Sequence, residues 1–269
     1  MKKIIILFVI SGFLLFLISA KEIKNKTLIN KNTDSFKNIC NYKDELKYRY
    51  LNYYKKHKEL PKEKIVTYVN IGLDKKFYTI TAPTPHLNKD YILVNKYLYL
   101  NNDYVPNNLV NLDNKYSKNG IKLVKSAKDM FEKMYNDAIK DGYKIRIMSS
   151  YRSYDYQTYL YNKYKKEDGI KEADMCSARP GYSEHQTGLC IDIDDGKTSY
   201  EQFNQSPSYI WMINNSYKYG YIERYPKGKE NITGYKYEPW HYRYVGIDIA
   251  KFIHDNKITF DEYYSKYIK

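Results

Sequence analysis

Between Lys122 and Ser149 the apolar period of the chain changes from that of a helix to that of a strand. Leu123, Ala127, Met130, Phe131, Met134 and Ala138 recur at helical spacing over Lys122 to Lys140, and Asp141-Gly142 supplies a stop. Tyr143 to Ser149 then places Ile145 and Ile147 on one face of a strand, and a turn at Ser150 leads into a helix over about Tyr154 to Lys166. Further strands are expected at Gly188 to Asp194 and Tyr235 to Tyr244, and helices at Pro207 to Tyr219 and Ile247 to Asn256. Thr259 with Glu262 reads as a capping box opening a last helix. Helices and short strands that segregate without a βαβ rhythm predict an α+β fold, with a small antiparallel sheet flanked by helices.

The N-terminal part reads differently. Residues 4–20 (IIILFVISGFLLFLISA) are an unbroken apolar run behind Lys2 and Lys3, the form of a secretory signal or a short membrane anchor. Ile18-Ser19-Ala20 lacks a small residue at the first position of a cleavage site, so cleaved and anchored forms both stay open. Residues 21–42 are polar and aperiodic, a tether, and one folded domain is expected over 43–269. It would open with a helix over 43–57 and strand-like runs at Ile65 to Ile71 and Phe77 to Thr81. Three widely spaced cysteines, Cys40, Cys176 and Cys190, argue against a disulfide-built scaffold, although Cys176 and Cys190 are free to pair after export. The net charge of +14 is spread along the chain and favours polyanions without choosing among them. Export removes most nucleic-acid readings, and the 34 tyrosines read as compositional bias rather than a stacking surface.

Of five histidines, His185 and His241 lie beside carboxylates in strand-like segments. In Ser183-Glu184-His185-Gln186-Thr187-Gly188-Leu189-Cys190-Ile191-Asp192 a carboxylate follows the imidazole by seven residues, with Gly188 permitting a sharp turn between them. In Glu238-Pro239-Trp240-His241 the two groups are three apart on a backbone stiffened by Pro239. Two nitrogens and one oxygen converging on a cation would leave a fourth tetrahedral position for water, the pattern of a catalytic zinc site. Manganese and iron share this ligand chemistry, and histidines in strands are also common as hydrogen-bonded core residues. The spacing is not HExxH, whose two ligands share one helix face.

Together these segments resemble the bacterial D-alanyl-D-alanine carboxypeptidases, of the superfamily that also holds lysostaphin-type peptidases and the hedgehog signalling domain. The resemblance extends to Tyr68-Val69-Asn70-Ile71-Gly72-Leu73, Ile92-Leu93-Val94-Asn95-Lys96, Ser150-Tyr151-Arg152-Ser153, Arg179-Pro180-Gly181 and Tyr235-Lys236-Tyr237 before Glu238, in that order, covering about Tyr42 to Ile253. It implies Zn2+ held by His185, Asp192 and His241, with Glu238 as general base for hydroxide attack on a carbonyl. Arg152 would grip the terminal carboxylate of the substrate, and Gln157 and Ser183 match positions that contact the peptide. Cys190 departs from the family, which usually carries alanine there. It shares a strand face with Asp192, so a fourth ligand or an oxidation-sensitive thiol stands beside the preferred reading of a packed side chain. His57, His86 and His254 fall outside the motif blocks and receive no chemistry.

The activity so implied is removal of the terminal D-Ala from peptidoglycan stem peptides, at the bacterial wall and outside the cytoplasm. L,D-carboxypeptidases acting on tetrapeptide stems share these motifs and are the nearest alternative. A non-catalytic wall-binding zinc module is the alternative from another class. The full set of three ligands, base and Arg152 favours an enzyme, because a binding module has no use for the base.

Overall fold

A computed structural model describes residues 35–117 and 120–268, and the expected apolar segment at 4–20 lies outside them. Among the described residues no helix is long and apolar enough to cross a membrane. The chain divides into two compact units, Met1–Asp74 and Lys75–Lys269.

In the described part of the first unit, helices α1 (Lys47–Lys56) and α2 (Lys62–Ile71) enclose a small core of Phe36, Tyr50, Leu51, Ile65, Val66 and Val69. The run Ile65 to Ile71 is thus helical, not the expected strand. Its β-branched residues suit either state, but Ile65, Val66 and Val69 make one helical stripe that buries against Tyr50 and Leu51. Gly72, at φ 106°, ends the helix in a conformation that disfavours a side chain. Phe36 is 1% exposed, so ordered packing begins inside the stretch expected to be a tether.

In the second unit, four strands form an antiparallel sheet in the order β5 (Arg146–Ser149), β6 (Cys190–Asp194), β8 (His241–Tyr244), β7 (Tyr221–Glu223). This is the expected small sheet, and β7 is an edge strand that the sequence pattern did not reveal. Strand alternation divides its chemistry by face. Ile147, Ile191, Ile193, Tyr242 and Tyr244 point into the main core, where they meet Ala127, Phe131, Met134 and Ala138 of helix α3 (Lys125–Lys140). Cys190, Asp192 and Asp194 occupy the other face.

Several expected boundaries move. Lys122–Val124 is a strand, β4, paired with β3 (Leu109–Asn111), so α3 begins at Lys125. The helix after Arg152, α4 (Tyr154–Cys176), passes Lys166 and is broken at Gly169, whose φ of 82° and ψ of 165° are non-helical. Residues 77–81 form no strand, 77–79 being a turn, and the short strand β1 (Ala82–Pro83) pairs in parallel with β2 (Leu98–Tyr99). Only His241 to Tyr244 of the expected strand 235–244 joins the ladder, since Pro239 has no N–H to offer a neighbour. The capping box forms as read: Thr259 Oγ1 accepts from Glu262 N, and the Glu262 carboxylate accepts from Thr259 N, opening helix α8 (Phe260–Tyr267).

Candidate metal centre

Two local devices bring the imidazoles to one point. His185 lies on a 3-10 turn, Glu184–Thr187, rather than in a strand. Ser183 Oγ opens that turn by accepting from His185 N at 3.3 Å, and Gly188 closes it at φ 65°. A Cβ on Gly188 would come within 2.9 Å of Leu109 Cδ1 and 3.3 Å of Val124 Cγ2, so the turn requires glycine on both backbone and steric grounds. His241 is the first residue of β8 and pairs directly across the ladder with Asp192 of β6. The backbone turn that precedes it is closed by His241 N donating to Glu238 O at 3.2 Å.

His185, Asp192, Glu238 and His241 are all buried. Asp192 Oδ2 lies 3.3 Å from His185 Nε2, and Asp192 Oδ1 lies 3.1 Å from His241 Nδ1. The Glu238 carboxylate stands 3.5 Å from His241 Nδ1. The two imidazole rings meet edge to face, centroids 5.0 Å apart. His185 Nδ1 is 2.6 Å from Ser150 O, an acceptor only, so its proton lies there and the Nε2 lone pair faces Asp192. Asp192 Oδ1 is buried without a hydrogen bond although a ring nitrogen stands beside it. Acceptor atoms that face one another in a closed site need a cation between them, and nitrogen with carboxylate oxygen fits Zn2+.

Cys190 is closer to this chemistry than a packed thiol would be. Donor atoms of His185, Cys190 and His241 all lie within 4.8 Å of one another. Burial raises the thiol, but the two imidazoles outweigh it and bring Cys190 down to about 7. Cys190 is fully buried and Cys176 is exposed, and both are free thiols, which closes the pairing left open by the sequence. Asp192 is raised by burial yet held well below the ordinary carboxylate range by His185, His241 and Arg152. For Glu238 burial prevails over the same cationic neighbours and pushes the carboxyl up to about 7. A carboxylate poised near neutrality suits a proton acceptor.

These groups line one end of a cavity of about 380 Å³, whose walls include Arg152, Gln157, Ser183, Tyr200, Tyr225 and Trp240. Arg152 Nη2 donates to Asp192 Oδ2 at 2.6 Å and Nε to Ser149 Oγ at 3.0 Å, while Nη1 reaches Gln157 Oε1 at 3.4 Å. Two of the five guanidinium protons are left for a ligand. Gln157 is itself tied down, its Nε2 donating to Ser177 Oγ and Ala178 O. All seven residues named from the sequence therefore meet in or around one cavity. Glu184, buried between two arginines behind His241, was missed; its only sequence signal is adjacency to His185.

A small antiparallel sheet that carries Asp192 and His241 on one face, with His185 brought beside them by the preceding turn, defines a metallopeptidase-like class of protein. The family described as VanY, D-alanyl-D-alanine carboxypeptidase, matches residues 120–247, and the chain belongs to it. The D-alanyl-D-alanine carboxypeptidase of Enterococcus faecium is 33% identical over 181 residues, 64% of this chain and 56% of that protein. YodJ of Bacillus subtilis is 42% identical over 183 residues, 65% of this chain and 66% of its own length. The chain thus spans about half to two thirds of the length of these curated relatives. The solved LdcB LD-carboxypeptidase superposes with a TM-score of 0.60 at 42% identity, covering 65% of this chain and 85% of LdcB. A variant of the vancomycin-resistance D,D-pentapeptidase VanY, solved in complex with Zn(II), does so with a TM-score of 0.56 at 34% identity, covering 65% and 98%.

Proposed function

We propose that the chain is a zinc-dependent D,D-carboxypeptidase that removes the terminal D-Ala from peptidoglycan stem peptides. The observation that carries this reading is the convergence of His185, Asp192, His241 and Glu238 at the end of a cavity walled by Arg152. His185 Nε2, Asp192 and His241 Nδ1 hold the metal, which when bound polarises a carbonyl and acidifies water. Glu238 takes the proton of the attacking water and returns it to the departing amine. Its burial favours this, because the neutral form that follows proton uptake is the one a buried site stabilises.

Arg152 receives the free terminal carboxylate through its two remaining N–H groups, which makes the enzyme an exopeptidase. Its bonds to Asp192 and Ser149 fix the fork before substrate arrives, so little ordering entropy opposes binding. Gln157 holds the guanidinium from the opposite side, and Ser183 sets the turn that carries His185. We assign the reaction to the extracytoplasmic face of the cell, with residues 4–20 as export signal or anchor, a linker that ends before the packed Phe36, and the catalytic site in the unit Lys75–Lys269.

The likeness to LdcB favours L,D cleavage of tetrapeptide stems as a second reading. Incubating the purified zinc-loaded chain with pentapeptide and tetrapeptide muropeptides, followed by mass measurement, separates the two. Loss of one alanine from the pentapeptide is the expected result. Release from the tetrapeptide alone would transfer the assignment to the L,D class, and binding of wall fragments without any release would make the chain a non-catalytic module.

A further inference from the structure

Behind the metal centre lies a cluster of charged side chains with almost no access to solvent. Arg224 and Glu184 are 1% exposed, Asp261 is 1% exposed and Arg243 is fully buried. Glu184 Oε1 accepts from Arg224 Nε at 2.9 Å and from Arg243 Nη1 at 3.0 Å. Arg224 Nη1 donates to Asp261 Oδ2 at 2.6 Å, in the first turn of α8, and Asp261 Oδ1 accepts from Asn95 Nδ2 at 2.8 Å. Arg243 spends its other donors on Tyr244 O, Asp90 O and Ile92 O. Two arginines and two carboxylates balance, so the cluster needs no charge from a histidine. Two atoms of the cluster are left over, Arg224 Nη2 and Glu184 Oε2, both buried without a hydrogen bond; Glu184 Oε2 lies 3.7 Å from His241 Nε2, which is buried and lacks one too.

An orphan acceptor and an orphan ring nitrogen pointing at each other each carry the cost of a buried unsatisfied polar group. A movement of about 0.8 Å brings them to ordinary hydrogen-bond length. The bond would fix a proton on His241 Nε2 and leave the lone pair on Nδ1, the atom that faces Asp192 Oδ1. Resting on the zinc reading given above, we propose that Glu184 is a positioning residue: it holds His241 in the orientation and tautomer that ligate the metal, and is itself held by Arg224 and Arg243. Glu184 acts through His241, while Asp261 touches Arg224 and not Glu184 and serves only to balance its charge.

The test is a chelator-competition titration of zinc on the full chain, comparing wild type, Glu184→Gln and Asp261→Asn, with thermal melting in parallel. Glu184→Gln is expected to weaken zinc binding by about 10–100-fold. Asp261→Asn removes a neighbouring charge from the same cluster, so it should melt earlier yet bind zinc within about threefold of wild type. Equal zinc affinity in wild type and Glu184→Gln, or equal weakening in both variants, would overturn the proposal. A measurement that needs no variant is the nitrogen-15 NMR spectrum of the histidine rings in the zinc-loaded wild type. A proton on His241 Nε2, protected from exchange, is expected, and a proton on Nδ1 or a freely exchanging Nε2–H would refute the role of Glu184. Failure of the wild type itself to bind zinc would instead strike the functional reading on which the proposal rests.

Discussion

Asp192 of β6 and His241 of β8 face each other across a β-ladder, and the orphaned Oδ1 of the first stands 3.1 Å from Nδ1 of the second. Cross-strand pairing therefore presets the distance between two of the three proposed ligands before any metal arrives. Asp192→Asn, which keeps the shape but removes the charge, should weaken zinc binding by more than about 100-fold, beyond what loss of a residue behind a ligand brings. Metal content after dialysis against a weak chelator reads this directly.

Glu238 stands within 3.5 Å of His241 but is assigned proton transfer rather than ligation. Glu238→Ala should retain one equivalent of zinc while kcat on a pentapeptide stem falls by about 10²–10⁴-fold, the range that a positioned general base supplies. Loss of metal in parallel with activity would place Glu238 among the ligands instead.

Arg152 is assigned to the substrate carboxylate, so its effect should depend on that charge. Arg152→Ala should lower kcat/KM by about 1.5–3 kcal/mol on the free acid, the worth of a charged hydrogen bond. A C-terminally amidated peptide should be cut poorly by wild type and no worse by the variant. Since Arg152 also bonds Asp192, zinc affinity must be measured alongside, and a loss confined to metal binding would remove the substrate role.

Glu223 offers a test of the fold that is independent of the site. It is largely buried, its one hydrogen bond comes from Tyr209 Oη at 2.9 Å, and burial pushes it from 4.5 up to about 7. A raised carboxyl keeps its proton in the native state at pH values where the unfolded chain has already lost it. The stability it contributes is complete below the unfolded value near 4.5 and disappears as pH rises through about 7, a change of about 3 kcal/mol. Urea unfolding at about pH 5 and pH 8 should show this decline in wild type and a flatter profile in Glu223→Gln. An unchanged pH profile in the variant would refute the assignment.

The proposed ligands were legible because each sits in a short segment whose own spacing aims it: a tight turn and one strand for His185 and Asp192, a proline-stiffened turn for Glu238 and His241. The helix at Lys125 and the capping box at Thr259 were legible for the same local reason. What failed was decided by tertiary contact. Ile65 to Ile71 has a β-branched composition that suits a strand, and only its packing on Tyr50 and Leu51 makes it a helix. Glu184 was invisible because its partners, Arg224 and Arg243, lie 40 and 59 residues away and belong to a residue type that is rarely buried. Cys190 was legible as a neighbour of Asp192 on one strand face, with a fourth-ligand role second to a packed thiol, and its reach to both imidazoles follows from the pairing of β6 with β8.

On the proposed reading, three side chains, His185, Asp192 and His241, hold one zinc ion and leave a position open for water. Anomalous X-ray scattering at the zinc edge, from crystals of the zinc-loaded chain, tests it most directly. A single peak is expected, about 2.0–2.2 Å from a nitrogen of each histidine and an oxygen of Asp192. A peak bonded to Cys190 as fourth protein ligand, or a zinc position away from these residues, would contradict it.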